Sequence, residues 1–483
     1  MSQVSNCEVA IIGAGPAGMA AALALTEYGL DVVVFDENPA AGGQIYRGIT
    51  SSPLRDRPQI LGKDYWAGEP LVKKFQACDA QKIHEAIVWA VSQQTSDFAP
   101  SHFEIGYSVN AEARLLHARH VLVATGAHER PFPIRGWTLP GVITGGAAQT
   151  LLKSNAIVPS DRIVLAGCGP LLYLIAWQYL NSGVKIDMLL DTTPKGRVLS
   201  LWPYLLDFVR SPYFLKGLNL VREVNSKVNV VKHVSELAAN GVDALESITF
   251  KTGNQERTVE ADHLLLHQGV MPNINLAQAL GITLNWNDVI KCWEPVADIW
   301  GNTNVERVHI AGDAAGIAGA WAAESRGRLA ATDIAFQLGK LTEQQRDTVA
   351  VKLRHDYVAV TRGREFFDRL FQPPVQFRRP TGDTVVCRCE EITASQVRET
   401  VKIGCTGPNQ MKSFLRCGMG PCQGRFCAVT VTELIADERN VPEQDVGHYR
   451  LRFPTKPLTL GELAALPQTE DSIKAVVRLK KPV

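Results

Sequence analysis

Six of the ten cysteines in this chain of 483 residues fall in one stretch, CRCEEITASQVRETVKIGCTGPNQMKSFLRCGMGPCQGRFC, from Cys387 to Cys427. It reduces to Cys387-x-Cys389, then 32 residues (422 − 389 − 1), then Cys422-x4-Cys427. Thiolates are the ligands that iron–sulfur clusters take, and two such pairs can close on the two irons of a [2Fe–2S] cluster. Gly418, Gly420 and Gly424 would keep side chains off the inorganic sulfides and free backbone N–H groups to donate to sulfur. Zinc is the main rival, but the stretch has no C-x2-C knuckle and no histidine. Cys417 is a fifth candidate, and Cys405 reads as core. EEITASQVRETVKIG has the apolar spacing of a short amphipathic helix, with Thr393 as its N-cap.

A second chemistry lies near the other end. CEVAIIGAGPAGMAAALALTEYGLDVVVFDE carries glycines at 13, 15 and 18 around Pro16 and Ala17. That spacing permits a tight turn, backbone approach to a pyrophosphate, and close packing of helix on strand. The helix start then offers unpaired N–H groups and its positive dipole end to the phosphates. Asp36, 23 positions after Gly13 (36 − 13), stands where a ribose acceptor belongs, and Glu37 is the adjacent fallback.

These residues need elements to hold them. The first glycine motif reads as strand, turn, helix and second strand. DRIVLAGCGPLLYLIAWQYLNSGVKIDMLLD repeats the plan, but Leu172 replaces the third glycine after Gly167 and Gly169. Asp191 could serve a nucleotide there, and Lys195 with Arg197 gives a thin basis for a 2′-phosphate site. The balance favours a retained scaffold unit. A chain of this length divides into two to four domains. Lys plus Arg (50) and Asp plus Glu (49) nearly cancel, so no net field favours nucleic acid. No uncharged apolar run is long enough to span a bilayer, and no signal peptide precedes the first strand. The expected location is the cytoplasm, either free or held peripherally at the inner face of the membrane.

Two further segments, HVLVATGAHERPFPIRG with Ala124-Thr125-Gly126 and VERVHIAGDAAGIAGAWAAESRGRLAA with Gly312-Asp313, resemble the ATG and GD motifs of two-dinucleotide-domain flavoproteins, the glutathione and thioredoxin reductase superfamily. GGQIYR, with Gly43, Gln44 and Arg47, resembles the stretch along the flavin side of that pocket. The resemblance implies FAD in the first site, with the Asp313 carboxylate on the ribityl chain and a following helix facing the flavin. It also implies that the second unit is an NAD(P)H domain inserted into the first. Disulfide reductases of this superfamily keep a close cysteine pair near the flavin, whereas Cys7, Cys78, Cys168 and Cys292 are isolated, so disulfide exchange is disfavoured.

The cysteine stretch resembles the bacterioferritin-associated-ferredoxin-like domain, in which Cys387, Cys389, Cys422 and Cys427 would be the ligands and the position of Cys417 need not be cysteine. The whole order, with the tail HYRLRFPTKPLTLGELAAL, resembles the α (A) subunit of heteromeric flavin amino-acid dehydrogenases. These include octopine and nopaline oxidases, D-hydroxyproline dehydrogenase, hydrogen cyanide synthase and heterotetrameric sarcosine oxidase. The implied fold class is α/β. It has an FAD domain (1–148 and 286–342), an inserted degenerate Rossmann domain (149–285), a helical linker (343–380), a [2Fe–2S] domain (381–430) and a tail (431–483). The implied function is electron transfer for a β-subunit flavoprotein that oxidises a secondary amine or amino acid. An FMN sits at the subunit interface in several relatives, and the external acceptor would be a quinone or an electron-transfer protein. Some relatives hold NAD or ATP in the first site. The rival readings are a stand-alone NAD(P)H-dependent reductase and a redox-sensing module without turnover.

Overall fold

The computed structural model describes residues 5–96 and 99–466. Met1–Val4 and the expected tail beyond residue 466 lie outside the described residues.

The first lobe begins with β1 (Ser5–Ile12), α1 (Pro16–Glu27) and β2 (Val32–Phe35). The runs VAII and VVVF are buried throughout, the pattern of central parallel strands covered on both faces. β1 pairs in parallel with β2, Val9 opposite Val32 through Ile12 opposite Phe35, and with Glu112–Val123 on its other side. The sheet runs Gln81–Ile83, β2, β1, Glu112–Val123, Ala99–Val109, Ile87–Ser96. The end of Glu112–Val123 also pairs with Val308–Ile310, so the lobe is closed by a strand far along the chain. Helix Ala320–Gln337 packs against α1 through small residues. A Cβ on Gly327 would stand 2.1 Å from the Ala17 carbonyl oxygen, so the two backbones touch there.

The second lobe is a five-stranded parallel sheet in the order Val230–Lys232, Met188–Asp191, Ile163–Gly167, His263–His267, Val142–Thr144. Its outermost strand precedes residue 149, and helix Gly145–Asn155 runs across the expected boundary at 148/149. The expected return at 285/286 likewise falls within strand Leu284–Asn287. Pairing needs, not composition, set these edges. The antiparallel ribbon of Ala127–Glu129 and Val270–Pro272 joins the lobes.

Helices Glu343–Thr361, Arg364–Leu370 and Val375–Arg378 form the linker. The terminal module holds a small hairpin and helices Ala394–Lys402, Pro408–Leu415 and Ala428–Arg439. Thr393 caps the first of these in a capping box with Gln396. The expected break at 430/431 falls inside helix Ala428–Arg439. Val431, Leu434, Tyr449 and Leu451 share one core with Cys387, Cys417 and Cys427, so the module extends at least to Leu451.

Candidate functional site

The first glycine loop is built by close backbone contact. Gly13 has φ +112°, and a Cβ there would meet the Ala124 carbonyl oxygen at 2.3 Å, so only glycine fits. At Gly18 a Cβ would lie 1.9 Å from the Gly13 oxygen, which seats α1 directly on the turn. A Cβ on Gly15 would meet only the Gly43 Cα, at 3.9 Å, so bare backbone faces an open side. Pro16 and Ala17 begin α1, with proline where no helical donor is needed.

Of the two acids, Asp36 is the one held beside this loop. It is 7% exposed; Oδ2 accepts the Ala14 N–H at 2.7 Å and Oδ1 accepts the Asn38 N–H at 2.8 Å. Glu37 is half-exposed and pairs with Lys456 at 2.6 Å. Arg47 donates to the Asn38 side-chain oxygen, and the Gln44 carbonyl accepts from Lys153 Nζ at 3.1 Å. Burial, reinforced by the Arg47 charge, draws the Lys153 amine down to about 7. Nothing in the spacing around Lys153 pointed to this position.

Ala124, Thr125 and Gly126 follow strand Glu112–Val123. The Ala124 N–H donates to the Ile12 carbonyl at 2.9 Å, the Thr125 hydroxyl donates to the Asn273 carbonyl at 3.0 Å, and Gly126 O accepts the Asn273 N–H at 2.9 Å. Gly312 and Asp313 open a short 3-10 turn, and helix Ala320–Gln337 starts seven residues later (320 − 313), not directly after the motif. Asp313 Oδ1 accepts from the N–H groups of Ala318 (2.9 Å) and Gly319 (3.1 Å), so the carboxylate orders the approach to that helix. These motifs all follow C-terminal ends of parallel strands, where open α/β sheets bind ligands. Bare loop, flanking acid and helix start together fit the pyrophosphate and ribose of a dinucleotide.

The cysteines form a second site. Cys387, Cys389, Cys422 and Cys427 line one cavity of about 160 Å³, with Arg388, Pro421 and Phe426. Cys389 is exposed and Cys422 half-buried at the rim; Cys387 and Cys427 are buried. Cys417 does not line the cavity, yet its sulfur and those of Cys387 and Cys427 lie within 4.8 Å of one another. Hydrogen bonds from Cys417 and Cys427 draw the Cys387 thiol down, and the same contact pushes Cys417 up. Crowded thiols cannot all ionise unless positive charge joins them, which a metal supplies. Four thiols around one cavity fit the donor set of a [2Fe–2S] cluster.

The glycines expected to clear inorganic sulfide have another reason to be glycine. A Cβ on Gly418 or Gly424 would meet the buried Tyr449 ring at 2.6 and 2.9 Å, and one on Gly420 would meet Cys389 Cβ at 2.3 Å. The module is tied to the first lobe close to the Ala124-Thr125-Gly126 turn. Asn275 Nδ2 donates to the Gln423 carbonyl at 3.1 Å, and the His128 ring lies 3.1 Å from the Arg425 carbonyl.

In the second lobe, Leu172 is buried in the core, and Asp191 accepts from the Tyr173 hydroxyl at 2.7 Å and the Thr193 N–H at 2.8 Å. Lys195 is exposed.

Residues 7–339 match the pyridine nucleotide-disulphide oxidoreductase family, and residues 381–466 match the sarcosine oxidase A3 domain. The chain is 46% identical to the A subunit of opine oxidase from Agrobacterium tumefaciens (strain Ach5), covering 97% of this chain and 93% of that protein. It is 32% identical to hydrogen cyanide synthase subunit HcnB of Pseudomonas aeruginosa, over 94% and 97% respectively. The L-proline dehydrogenase structure from P. horikoshii shares the fold at TM-score 0.70 and 19% identity, covering 96% of this chain and 81% of that one. Among the described residues, no helix is long and apolar enough to cross a membrane.

Proposed function

Because the chain belongs to the A-subunit family of opine oxidases and hydrogen cyanide synthases, built on a pyridine nucleotide-disulphide oxidoreductase fold, we propose that it is the electron-transferring subunit of a heteromeric amine-oxidising flavoenzyme. Its activity class is that of an FAD-dependent oxidoreductase on CH–NH donors. The substrate is a secondary amine or amino acid of the opine or D-hydroxyproline kind. It is oxidised to an imine on a separate β-subunit flavoprotein, with an FMN at the interface between the two. Electrons leave to a quinone or an electron-transfer protein, from a complex in the cytoplasm or held peripherally at the inner face of the membrane.

One observation carries this reading: a glycine loop with its flanking acid and a thiol-lined cavity occupy a single chain and are bridged by short hydrogen-bonded links. In the proposed holoprotein, Gly13, Gly15, Pro16, Ala17 and Gly18 admit the pyrophosphate and Asp36 accepts the ribose hydroxyls. Gly43, Gln44, Arg47, Ala124, Thr125, Gly126, Gly312 and Asp313 wall the flavin end. Cys387, Cys389, Cys422 and Cys427 hold the cluster. When bound, the flavin exchanges electrons in pairs or singly, and the cluster takes them one at a time. The protein's part is to fix one site against the other. Thr125 and Gly126 bind Asn273, and Asn275, two residues on, binds Gln423 beside Cys422.

Anaerobic reduction tests the proposal. In the reconstituted heteromer an opine or D-hydroxyproline substrate should bleach the flavin, while NADH or NADPH alone should not. Rapid bleaching of the isolated chain by NADPH or NADH would replace this reading with a stand-alone reductase. No turnover with any partner would leave a redox sensor.

A further inference from the structure

The inserted Rossmann lobe has a C-terminal sheet edge of its own, where such lobes bind nucleotides. Here that edge is already met by the chain. Cys168, between the two glycines of the second loop, donates its thiol to the Phe371 carbonyl at 3.4 Å. Arg197, the residue spaced for a 2′-phosphate, donates instead to the carbonyls of Leu370 (3.3 Å) and Gln372. Gln372 Nε2 in turn donates to the carbonyls of Asp288 (2.8 Å) and Val289 (2.7 Å). Three successive carbonyl oxygens therefore meet donors from the Rossmann lobe. A carbonyl oxygen and a phosphate oxygen are both acceptors, so donors placed for one serve the other. Just beyond, Arg378 pairs with the buried Glu433, and Arg379 lies 2.8 Å from Asp437 and 3.3 Å from Glu443, all in the cysteine module.

We propose that the second Rossmann edge is a peptide-binding site whose ligand is this chain's own segment Leu370–Gln372, held by its carbonyl oxygens where a pyridine nucleotide would otherwise lie. The lobe thereby grips the arm that carries the cysteine module. Cys168, an isolated thiol pushed up to about 12 mainly by burial, acts as a hydrogen-bond donor rather than a nucleophile. The grip concerns the chain alone and stands apart from the identity of the oxidised substrate.

Hydrogen exchange on the full chain tests it. Arg197→Ala removes both hydrogen bonds made by Nη1 and should speed amide exchange across Phe371–Arg379 by roughly tenfold or more, with iron and first-lobe dinucleotide content unchanged. Arg197→Lys, which keeps a charged donor but not the planar guanidinium that carries Nη1, should fall between. Cys168→Ala, which removes the donor to the Phe371 carbonyl, should loosen the same amides and keeps the prediction testable if Arg197→Ala fails to fold. NADH added to the wild-type chain should neither bind saturably to this lobe nor alter exchange there. Unchanged exchange in both Arg197→Ala and Cys168→Ala, or saturable NADH binding to the wild-type lobe, would overturn the proposal.

Discussion

At the scale of single residues, the cysteines divide by position. Cys389 and Cys422 stand at the cavity rim, Cys387 and Cys427 at its floor, and Cys417 behind them. A [2Fe–2S] cluster needs four thiolates, and serine supplies a harder oxygen ligand in place of sulfur. Serine at 387, 389, 422 or 427 should therefore each sharply lower iron and acid-labile sulfide, measured colorimetrically on anaerobically purified protein. Serine at Cys417 should leave both near wild type. Loss of iron in Cys417→Ser with retention in Cys427→Ser would put Cys417 in the ligand set. The C-x-C and C-x4-C pairs were legible in one dimension because each lies within a turn. The approach of Cys417 to Cys387, thirty positions away (417 − 387), was not, because it depends on how the module folds around Tyr449.

At the scale of elements, the decisive contact is between α1 and helix Ala320–Gln337. Gly327 lets the second helix lie on the backbone of Ala17, at the mouth of the first glycine loop. A methyl group there has nowhere to go, so Gly327→Ala should cost about 1–3 kcal/mol of stability by overpacking and lower flavin retention with it. Thermal unfolding and flavin content after denaturation measure the two effects. Unchanged values for both would mean that the helices part freely. The strand–turn–helix units and the first helix of the cysteine module were readable because their chemistry is local: glycine spacing in the former and the Thr393 N-cap in the latter. Their borders were not. Strand Leu284–Asn287 crosses the second expected boundary as half of a local hairpin with Cys292–Pro295, and helix Gly145–Asn155 crosses the first because it follows Val142–Thr144, whose pairing with His263–His267 is non-local. The grip on Leu370–Gln372 was hidden for the same reason, since Cys168 and Phe371 are 203 positions apart.

At the scale of the whole molecule, one face remains apolar. Trp202 (75% exposed), Leu205, Leu206 and Val209 recur at i, i+3, i+4 and i+7 on one short helix, with Leu215 and Leu218 exposed on the next. An apolar stripe turned outward does not rest comfortably in water. The isolated chain should therefore self-associate as concentration rises, and Trp202→Glu with Leu206→Glu should restore a single species in light scattering. A wild-type chain that stays monodisperse at all concentrations would contradict this. The closure of the first lobe by Val308–Ile310 has a further consequence, for biosynthesis. During translation, strand Glu112–Val123 is finished 185 residues before its partner Val308 is made (308 − 123). At 5–20 residues per second this is a delay of roughly 10–40 s. The inserted lobe is complete within that interval, while the dinucleotide cradle still lacks its last strand and the Asp313 turn. The nascent chain thus assembles its interior domain before its outer one, and it can capture the flavin only after both.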